Sequence, residues 1–194
     1  NIIEENLSLP VIFSIENYEK LYEGLRRYVI ELRLDTRIMS NEIIEEIVKK
    51  AMNGNRVLVI VNTVDKAINL YRKIREIYHD NVVLIHSRFT VKDRREKERR
   101  IDNAGILIST QVAEISLDVS FDFLFTELAP LPSLIQRWGR VNRYGKKNVR
   151  KTNVIIVNPC FSQPYIAYIM YLTEKLMREY TEYINKNDEK EFIK

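Results

Sequence analysis

The 194-residue sequence has few of the residues that mark disulfide-rich, fibrous or disordered proteins. It contains one cysteine, Cys160, so no disulfide can form within the chain, and this usage is typical of a reducing compartment. Five glycines and five prolines are too few for a collagen-like or low-complexity chain. We therefore expect a globular, cytoplasmic domain.

Segments that address a protein to a membrane are also absent from the sequence. No apolar run approaches the ~18 residues of a membrane span, and no stretch has the pattern of a signal peptide. We therefore expect no membrane partner. The chain begins at Asn1 and not at Met, which we interpret as a piece of a longer polypeptide.

Two phosphate-handling motifs are missing, and their absence limits the chemistry of the chain. There is no G-x-x-x-x-G-K-[ST] loop to hold the β- and γ-phosphates, and no D-E-x-[HD] box to hold magnesium. The two histidines, His79 and His86, have no cysteine cluster beside them, so we predict no metal site. We therefore expect no complete ATP-hydrolysing site within this sequence.

Short apolar runs alternate with helical patterns along most of the chain. The runs at 57–61, 82–85, 106–108 and 154–157 are typical of parallel strands buried on both faces. The alternation predicts an α/β fold with three layers, a mostly parallel central sheet flanked by helices. The alternating segment 28–34 predicts a strand at the sheet edge. A last helix is predicted at about 165–184, with an apolar side formed by Ile169, Leu172, Leu176 and Tyr180 or Tyr183.

The segment 105–143 organises the rest of the chain. The last part of this segment is predicted to be a helix that begins at Pro132. In that helix Gln136, Arg140 and Arg143 are spaced at i, i+4 and i+7. Leu134, Trp138 and Val141 lie on the opposite side and are predicted to be buried. Two guanidiniums on one exposed stripe can offer planar donors to a phosphate, although a solvated basic face is the common alternative.

Polar residues follow several predicted strands, where open α/β sheets bind ligands. They comprise Asn62 and Thr63; His86, Ser87 and Arg88; Thr110 and Gln111; and Asp118 further along. Helix capping or turn formation explains Thr63, Thr110 and Asp118 without any ligand. A stripe of Arg88, Lys92, Arg95 and Arg99 is either a solvated, salt-bridged face or the rim of a DNA path.

These motifs resemble those of a known family. T-Q-x-x-E-x-S-L-D followed by T-E-L-A-P-x-x-S-L-I-Q-R-x-G-R-x-x-R resembles motifs V and VI of superfamily 2 helicases. Within that superfamily the sequence is most similar to the CRISPR-associated helicase–nuclease of type I systems. Val61-Asn62-Thr63 resembles motif IV, and the likeness covers about residues 56–145.

The resemblance implies a second RecA-like domain at 28–194, with 1–27 as a junction to a missing first RecA-like domain. It implies that Arg140 and Arg143 act as arginine fingers on ATP, with Gln136 beside them and Asp118 near the ribose. ATP and magnesium would be bound mainly by the missing domain. The implied nucleic-acid contacts are Asn62, Thr63, His86, Ser87, Arg88, Thr110 and Gln111.

The function implied by the resemblance is ATP-dependent translocation on single-stranded DNA during CRISPR interference. The implied partners are single-stranded DNA, the first RecA-like domain, an HD-type nuclease domain or subunit, and a CRISPR RNA-guided surveillance complex. The fragment alone is expected to be inactive. The alternatives are the second domain of an RNA or DNA-repair helicase of superfamily 2, and a stand-alone nucleic-acid-binding module.

Overall fold

The computed structural model describes residues 28–116, 119–145 and 151–192, with side chains for all of these except 115, 116 and 181–192. The described strands form one sheet in the order β1-β6-β5-β2-β4-β3, and every pair is parallel. Their bounds are Ile30–Arg37, Val57–Ile60, Val82–Ile85, Ile106–Ser109, Phe123–Glu127 and Val154–Asn158 for β1 to β6. The predicted α/β class is confirmed, and β1 lies at a sheet edge as expected.

Among the described elements, five helices lie between strands and a sixth follows the last strand, and three of the six begin at a hydroxyl cap. Their bounds are Asn41–Met52, Val64–Ile77, Val91–Glu98, Val112–Ser116, Leu131–Trp138 and Ala167–Phe192 for α1 to α6, with a 3-10 turn at Ile101–Asn103. The hydroxyl oxygens of Ser40, Thr63 and Thr90 accept hydrogen bonds from the N–H groups of the first turns of α1, α2 and α3.

The sheet is buried on both faces because neighbouring residues of each strand point to opposite sides. Val57 and Val59 pack with α1 and α2 in one apolar cluster. Leu58 and Ile60 pack with residues of α4, α5 and α6 in a second cluster on the other face. The continuous apolar runs in the sequence therefore correspond to two cores, and the predicted three-layer arrangement is confirmed.

The C-terminal helix differs from its prediction in length and in its buried face. It runs to Phe192, whereas the sequence pattern indicated an end near residue 184. The buried residues are Met170, Thr173 and Met177. The residues predicted to be buried are exposed instead: Ile169 (41%), Leu172 (39%), Leu176 (52%) and Tyr180 (50%). The helix is apolar on more than one side, so periodicity alone identifies the wrong side.

The helix after Pro130 is also shorter than predicted. It ends at Trp138, so Arg140 and Arg143 lie beyond it and do not share a helical stripe with Gln136. The cause is non-local, because Val141 pairs with Phe121 in a parallel bridge through the hydrogen bonds Phe121 N to Arg140 O and Asn142 N to Phe121 O. Leu134 and Val141 are buried as predicted, and Trp138 is half-buried.

Among the described residues, no helix combines the length and apolarity needed to cross a bilayer. The proposed junction at 1–27 and the predicted ribose contact Asp118 both lie outside the described residues.

Candidate nucleotide and nucleic-acid interface

The carboxyl ends of β2, β4 and β5 bring distant polar residues together. The strands are parallel and paired so that Ile60 lies between Ser109 and Thr126. Asn62 and Gln111 follow β2 and β4, and Glu127 ends β5. Because these ends meet at one sheet edge, residues up to 75 positions apart in sequence come within hydrogen-bonding distance.

The centre of this edge is Arg137, whose side chain is completely buried. Its guanidinium forms an ion pair with Glu114 through Nε and Oε1 at 2.9 Å. The remaining N–H groups donate to neutral oxygens: Thr126 Oγ1 (2.8 Å), Tyr165 Oη (2.9 Å), Glu127 O (3.1 Å) and Asn62 Oδ1 (3.2 Å). A buried charge is tolerated only with such pairing. Because the partners of Arg137 lie on other elements, these bonds hold α5 on the sheet.

Asn62 and Glu127 extend the same network. Glu127 is 1% exposed and accepts the Asn62 N–H through Oε2 at 2.7 Å. Its other carboxylate oxygen accepts from Lys66 Nζ, which also donates to the carbonyl oxygen of Pro159. The Asn62 amide donates to Leu128 O at 2.9 Å. Asn62 thus bonds inside the domain through both ends of its amide, and its contact with a phosphate stays a prediction.

The Gln111 side chain is also held by hydrogen bonds within the domain. Its Nε2 donates to Asn62 O at 3.0 Å and to Tyr165 Oη at 3.1 Å. The amide nitrogen has only these two hydrogens, so the side chain keeps an acceptor but no donor for a ligand. Any contact with a phosphate through this side chain therefore requires a rearrangement. The neighbouring Thr110 is buried, and Thr63 caps α2 with its hydroxyl oxygen.

Glu114 connects the buried pair to the predicted arginine fingers. Its carboxylate binds Arg137, and its main-chain carbonyl accepts a hydrogen bond from Arg140 Nη2. The main-chain N–H of Arg143 donates to Ser120 Oγ at 3.1 Å. Both arginines are half-buried, whereas Gln136 is exposed on α5. The structure thus brings Arg140 and Arg143 to one turn, and their catalytic role stays a prediction.

His86 lies at the carboxyl end of β3 and is buried. Its ring stacks on Phe89 with centroids 4.0 Å apart, and Nδ1 accepts the Arg88 N–H at 3.2 Å. Burial, and then the charge of Arg88, lower the pKa of His86 below its ordinary value of 6.5. A neutral ring that accepts at Nδ1 carries its proton on Nε2. No group of three or more potential metal-ligating residues occurs in the described part of the chain.

The basic stripe beside His86 is solvated in this structure. Helix α3 contains no buried residue, and Ser87, Arg88, Lys92 and Arg95 are exposed. Arg88 pairs with Asp65 at 2.7 Å, and both side chains are more than 60% exposed. Such a pair contributes between 0 and about 1 kcal/mol. The stripe is therefore available to an anionic partner at little cost, and its contact with DNA stays a prediction.

Four residues of this edge were not assigned a specific role by the sequence: Glu114, Glu127, Arg137 and Tyr165. Glu127 and Arg137 stand inside T-E-L-A-P-x-x-S-L-I-Q-R-x-G-R-x-x-R, and Glu114 stands inside T-Q-x-x-E-x-S-L-D, so the motif pattern itself is the signal for them. Nothing local marks Tyr165, which is 28 positions from its partner Arg137.

Comparisons with known proteins agree with this geometry. The family model of the C-terminal part of the CRISPR-associated nuclease/helicase Cas3 matches residues 53–146. The CRISPR-associated endonuclease/helicase Cas3 of Escherichia coli (strain K12) is 42% identical over 116 residues, which are 54% of this chain and 13% of that protein.

Solved structures show the same fold. The crystal structure of T. fusca Cas3 with ATP superposes with a TM-score of 0.63 at 23% identity, over 79% of this chain and 22% of that one. A chain of a CRISPR RNA-guided surveillance complex in its pre-nicking state gives a TM-score of 0.64 at 22% identity, over 80% and 23% of the two chains.

The parallel sheet, with motif residues gathered at its carboxyl edge, defines a RecA-like domain of the helicase type. Within that class, the family model, the relatives and the structural neighbours support a C-terminal helicase domain of the Cas3 type. The chain spans less than a quarter of the length of the proteins compared above.

Proposed function

We propose that the chain is the second RecA-like half of an ATP-driven translocase on single-stranded DNA that acts in CRISPR interference. In this proposal a first RecA-like domain holds the nucleotide, and the present chain completes the ATP site and contacts the DNA backbone. Closing and reopening of the two domains during each hydrolysis cycle moves the pair along the strand.

The observation that carries the proposal is the turn after α5. It carries Arg140 and Arg143, which are both half-buried. The Arg140 guanidinium donates to Glu114 O, and the Arg143 main-chain N–H donates to Ser120 Oγ. Guanidiniums held in place before the reaction stabilise the charge that develops on a transferred phosphoryl group. A stand-alone binding module has no comparable need for an arginine guanidinium that is held by another segment.

The residues of this chain could form only part of a binding site for ATP. The sequence has no loop of main-chain N–H groups for the phosphates and no acidic box for magnesium, so both must come from another domain. ATP with magnesium supplies the phosphoryl group whose transfer drives the cycle. From this chain, Arg140 and Arg143 would bind and orient the terminal phosphate, with Gln136 beside them and Asp118 near the ribose.

The partners are part of the same proposal. The relatives' names pair helicase with nuclease, which supports an HD-type nuclease domain or subunit in the whole protein. A structural neighbour belongs to a CRISPR RNA-guided surveillance complex, which supports recruitment by such a complex. The proposal places the protein in the cytoplasm, and the single cysteine, which forms no disulfide within the chain, is compatible with a reducing compartment.

The test compares this chain with the parent protein that contains both RecA-like domains. The parent should hydrolyse ATP faster with single-stranded DNA than with duplex DNA or RNA, and the chain alone should show no turnover. Turnover by the isolated chain that disappears on substitution of one of its residues would refute the half-site proposal. Stimulation of the parent by RNA and not by DNA would favour the RNA-helicase alternative.

A further inference from the structure

The loop between β6 and α6 contributes one side chain to the buried network, that of Tyr165, which lies outside the segment matched by the family model. The Tyr165 hydroxyl oxygen accepts one hydrogen bond from Gln111 Nε2 at 3.1 Å and another from Arg137 Nη2 at 2.9 Å. The two donors come from different motifs, one following β4 and the other on α5. Tyr165 therefore links the side chains of Gln111 and Arg137, which do not bond to each other directly in the network described above, whereas Glu114, three positions after Gln111, pairs with Arg137.

The Gln111 side chain depends on this hydroxyl for its orientation. Nε2 also donates to Asn62 O, and a carbonyl oxygen can only accept, so the amide cannot be turned over without losing that bond. With the Tyr165 oxygen as the second acceptor, both amide hydrogens are used. Removing the hydroxyl leaves Gln111 held at one point and able to rotate towards a phosphate.

From Tyr165 a chain of hydrogen bonds continues to the arginine-bearing turn. Arg137 binds Tyr165 through Nη2 and Glu114 through Nε. The main-chain carbonyl of Glu114 then accepts from Arg140. A displacement of the Arg137 guanidinium is thus transmitted to the residue that holds Arg140. The hydroxyl lies at the branch point between the DNA-side and the nucleotide-side segments.

The loop is fixed independently of these two bonds. Lys66 donates to the Pro159 carbonyl at the start of the loop, and the Tyr165 N–H donates to Ser162 O at 2.8 Å. The Tyr165 ring packs against the apolar cluster that contains α5 and α6. The hydroxyl oxygen is therefore presented in a preset position and does not depend on its partners for its placement.

We propose that Tyr165 is a positioning residue that couples nucleic-acid contact at the Gln111 end of the sheet to ATP turnover at Arg140. The proposal rests on the function proposed above. Nucleic acid that draws Gln111 away from Tyr165 changes the hydrogen bonding of Arg137, and Glu114 passes the change to Arg140. Tyr165 itself touches neither the nucleotide nor the DNA.

The experiment uses Tyr165→Phe in the full-length parent, with Tyr168→Phe as the matched control. Tyr168 lies on α6 and is 67% exposed, so its variant loses a hydroxyl without touching the network. Hydrogen bonds to a charged group correspond to a factor of roughly 10 to 100. We expect Tyr165→Phe to lower kcat for ATP at saturating single-stranded DNA by about tenfold or more, with KM for ATP unchanged.

A second variant tests the other donor of the pair. Gln111→Met removes the amide that donates a hydrogen bond to Tyr165 Oη. We expect this variant also to lower the DNA-stimulated kcat. Because both changes break one coupling, the double variant should lose less than the product of the two single effects. If the fold-loss in kcat of the double variant equals the product of the two single losses, the coupling is overturned.

The outcomes separate coupling from support of the fold. If Tyr165→Phe only lowers the melting temperature, and kcat measured well below it equals that of the wild type, the residue is structural and the proposal is overturned. A wild-type parent that DNA does not stimulate overturns the proposed function and the coupling together. A stimulated wild type with an equally stimulated Tyr165→Phe overturns the coupling alone.

Discussion

Replacing Arg137 by Met should destabilise the domain more than any exposed arginine substitution. Arg137 is fully buried, and its ion-pair partner Glu114 is 8% exposed. The substitution keeps most of the side-chain length but removes the cation. Glu114 is then left as a buried carboxylate without its counter-charge, and the oxygens of Asn62, Thr126 and Tyr165 each lose a donor.

The expected magnitude follows from this geometry. Breaking a buried ion pair by removing one partner costs about 3–5 kcal/mol. That is a large part of the 5–15 kcal/mol by which folded domains are typically stable. For a chain of this size, each kcal/mol corresponds to about 2–4 °C, so the melting temperature should fall by roughly 6–20 °C.

The assay is thermal and urea unfolding followed by circular dichroism, with Arg72→Met as the control. Arg72 is exposed on α2, and its substitution should change the free energy of unfolding by no more than about 0.5 kcal/mol. Adding Glu114→Leu to Arg137→Met should restore part of the loss, because an apolar pair leaves no uncompensated charge. If Arg137→Met and Arg72→Met have the same melting temperature, the reasoning about the buried pair is wrong.

Two further predictions concern charge. Because the pKa of His86 is lowered in the folded protein, the unfolded state binds more protons, so this residue's contribution to stability is lost as pH falls below 6.5. The variant His86→Gln should therefore lose less unfolding free energy than the wild type between about pH 7 and pH 5 in urea titrations, and equal losses would contradict the shift. If the exposed stripe of α3 contacts DNA, Lys92→Ala with Arg95→Ala should flatten the salt dependence of single-stranded DNA binding, whose log–log slope is about −0.7 for each phosphate neutralised. An unchanged slope in that binding titration would assign the stripe to solvent.

Local patterns in the sequence were sufficient for much of the fold. Ser40 caps α1, and the buried residues of that helix follow a helical period, so both the start and the buried side of α1 can be predicted from a dozen neighbouring residues. The continuous apolar runs indicated parallel strands for the same reason. The order of those strands depends on contacts between distant segments and was not predicted.

The errors arose where tertiary contacts override a local period. Val141 leaves the helical pattern because it pairs with Phe121, which shortens α5 and separates Arg140 from Gln136. In the same motif Arg137 is buried among oxygens from four other segments, which helical spacing cannot show. The buried face of α6 is likewise chosen by the sheet beneath it, where Met170 and Met177 pack.

The most direct test of the proposed half-site is ATP turnover by the two-domain parent carrying Arg143→Ala, measured at saturating single-stranded DNA beside Arg72→Ala. Arg143 is substituted here and not Arg140, because Arg140 donates a hydrogen bond to the Glu114 carbonyl and its loss would also disturb that contact. Loss of an arginine finger lowers turnover by about 10³ to 10⁵ in other phosphoryl-transfer proteins. We predict a loss of that order with an unchanged melting temperature, and poor rescue by Arg143→Lys because an ammonium lacks the planar, two-pronged contact. Turnover equal to that of Arg72→Ala would contradict the arginine-finger role.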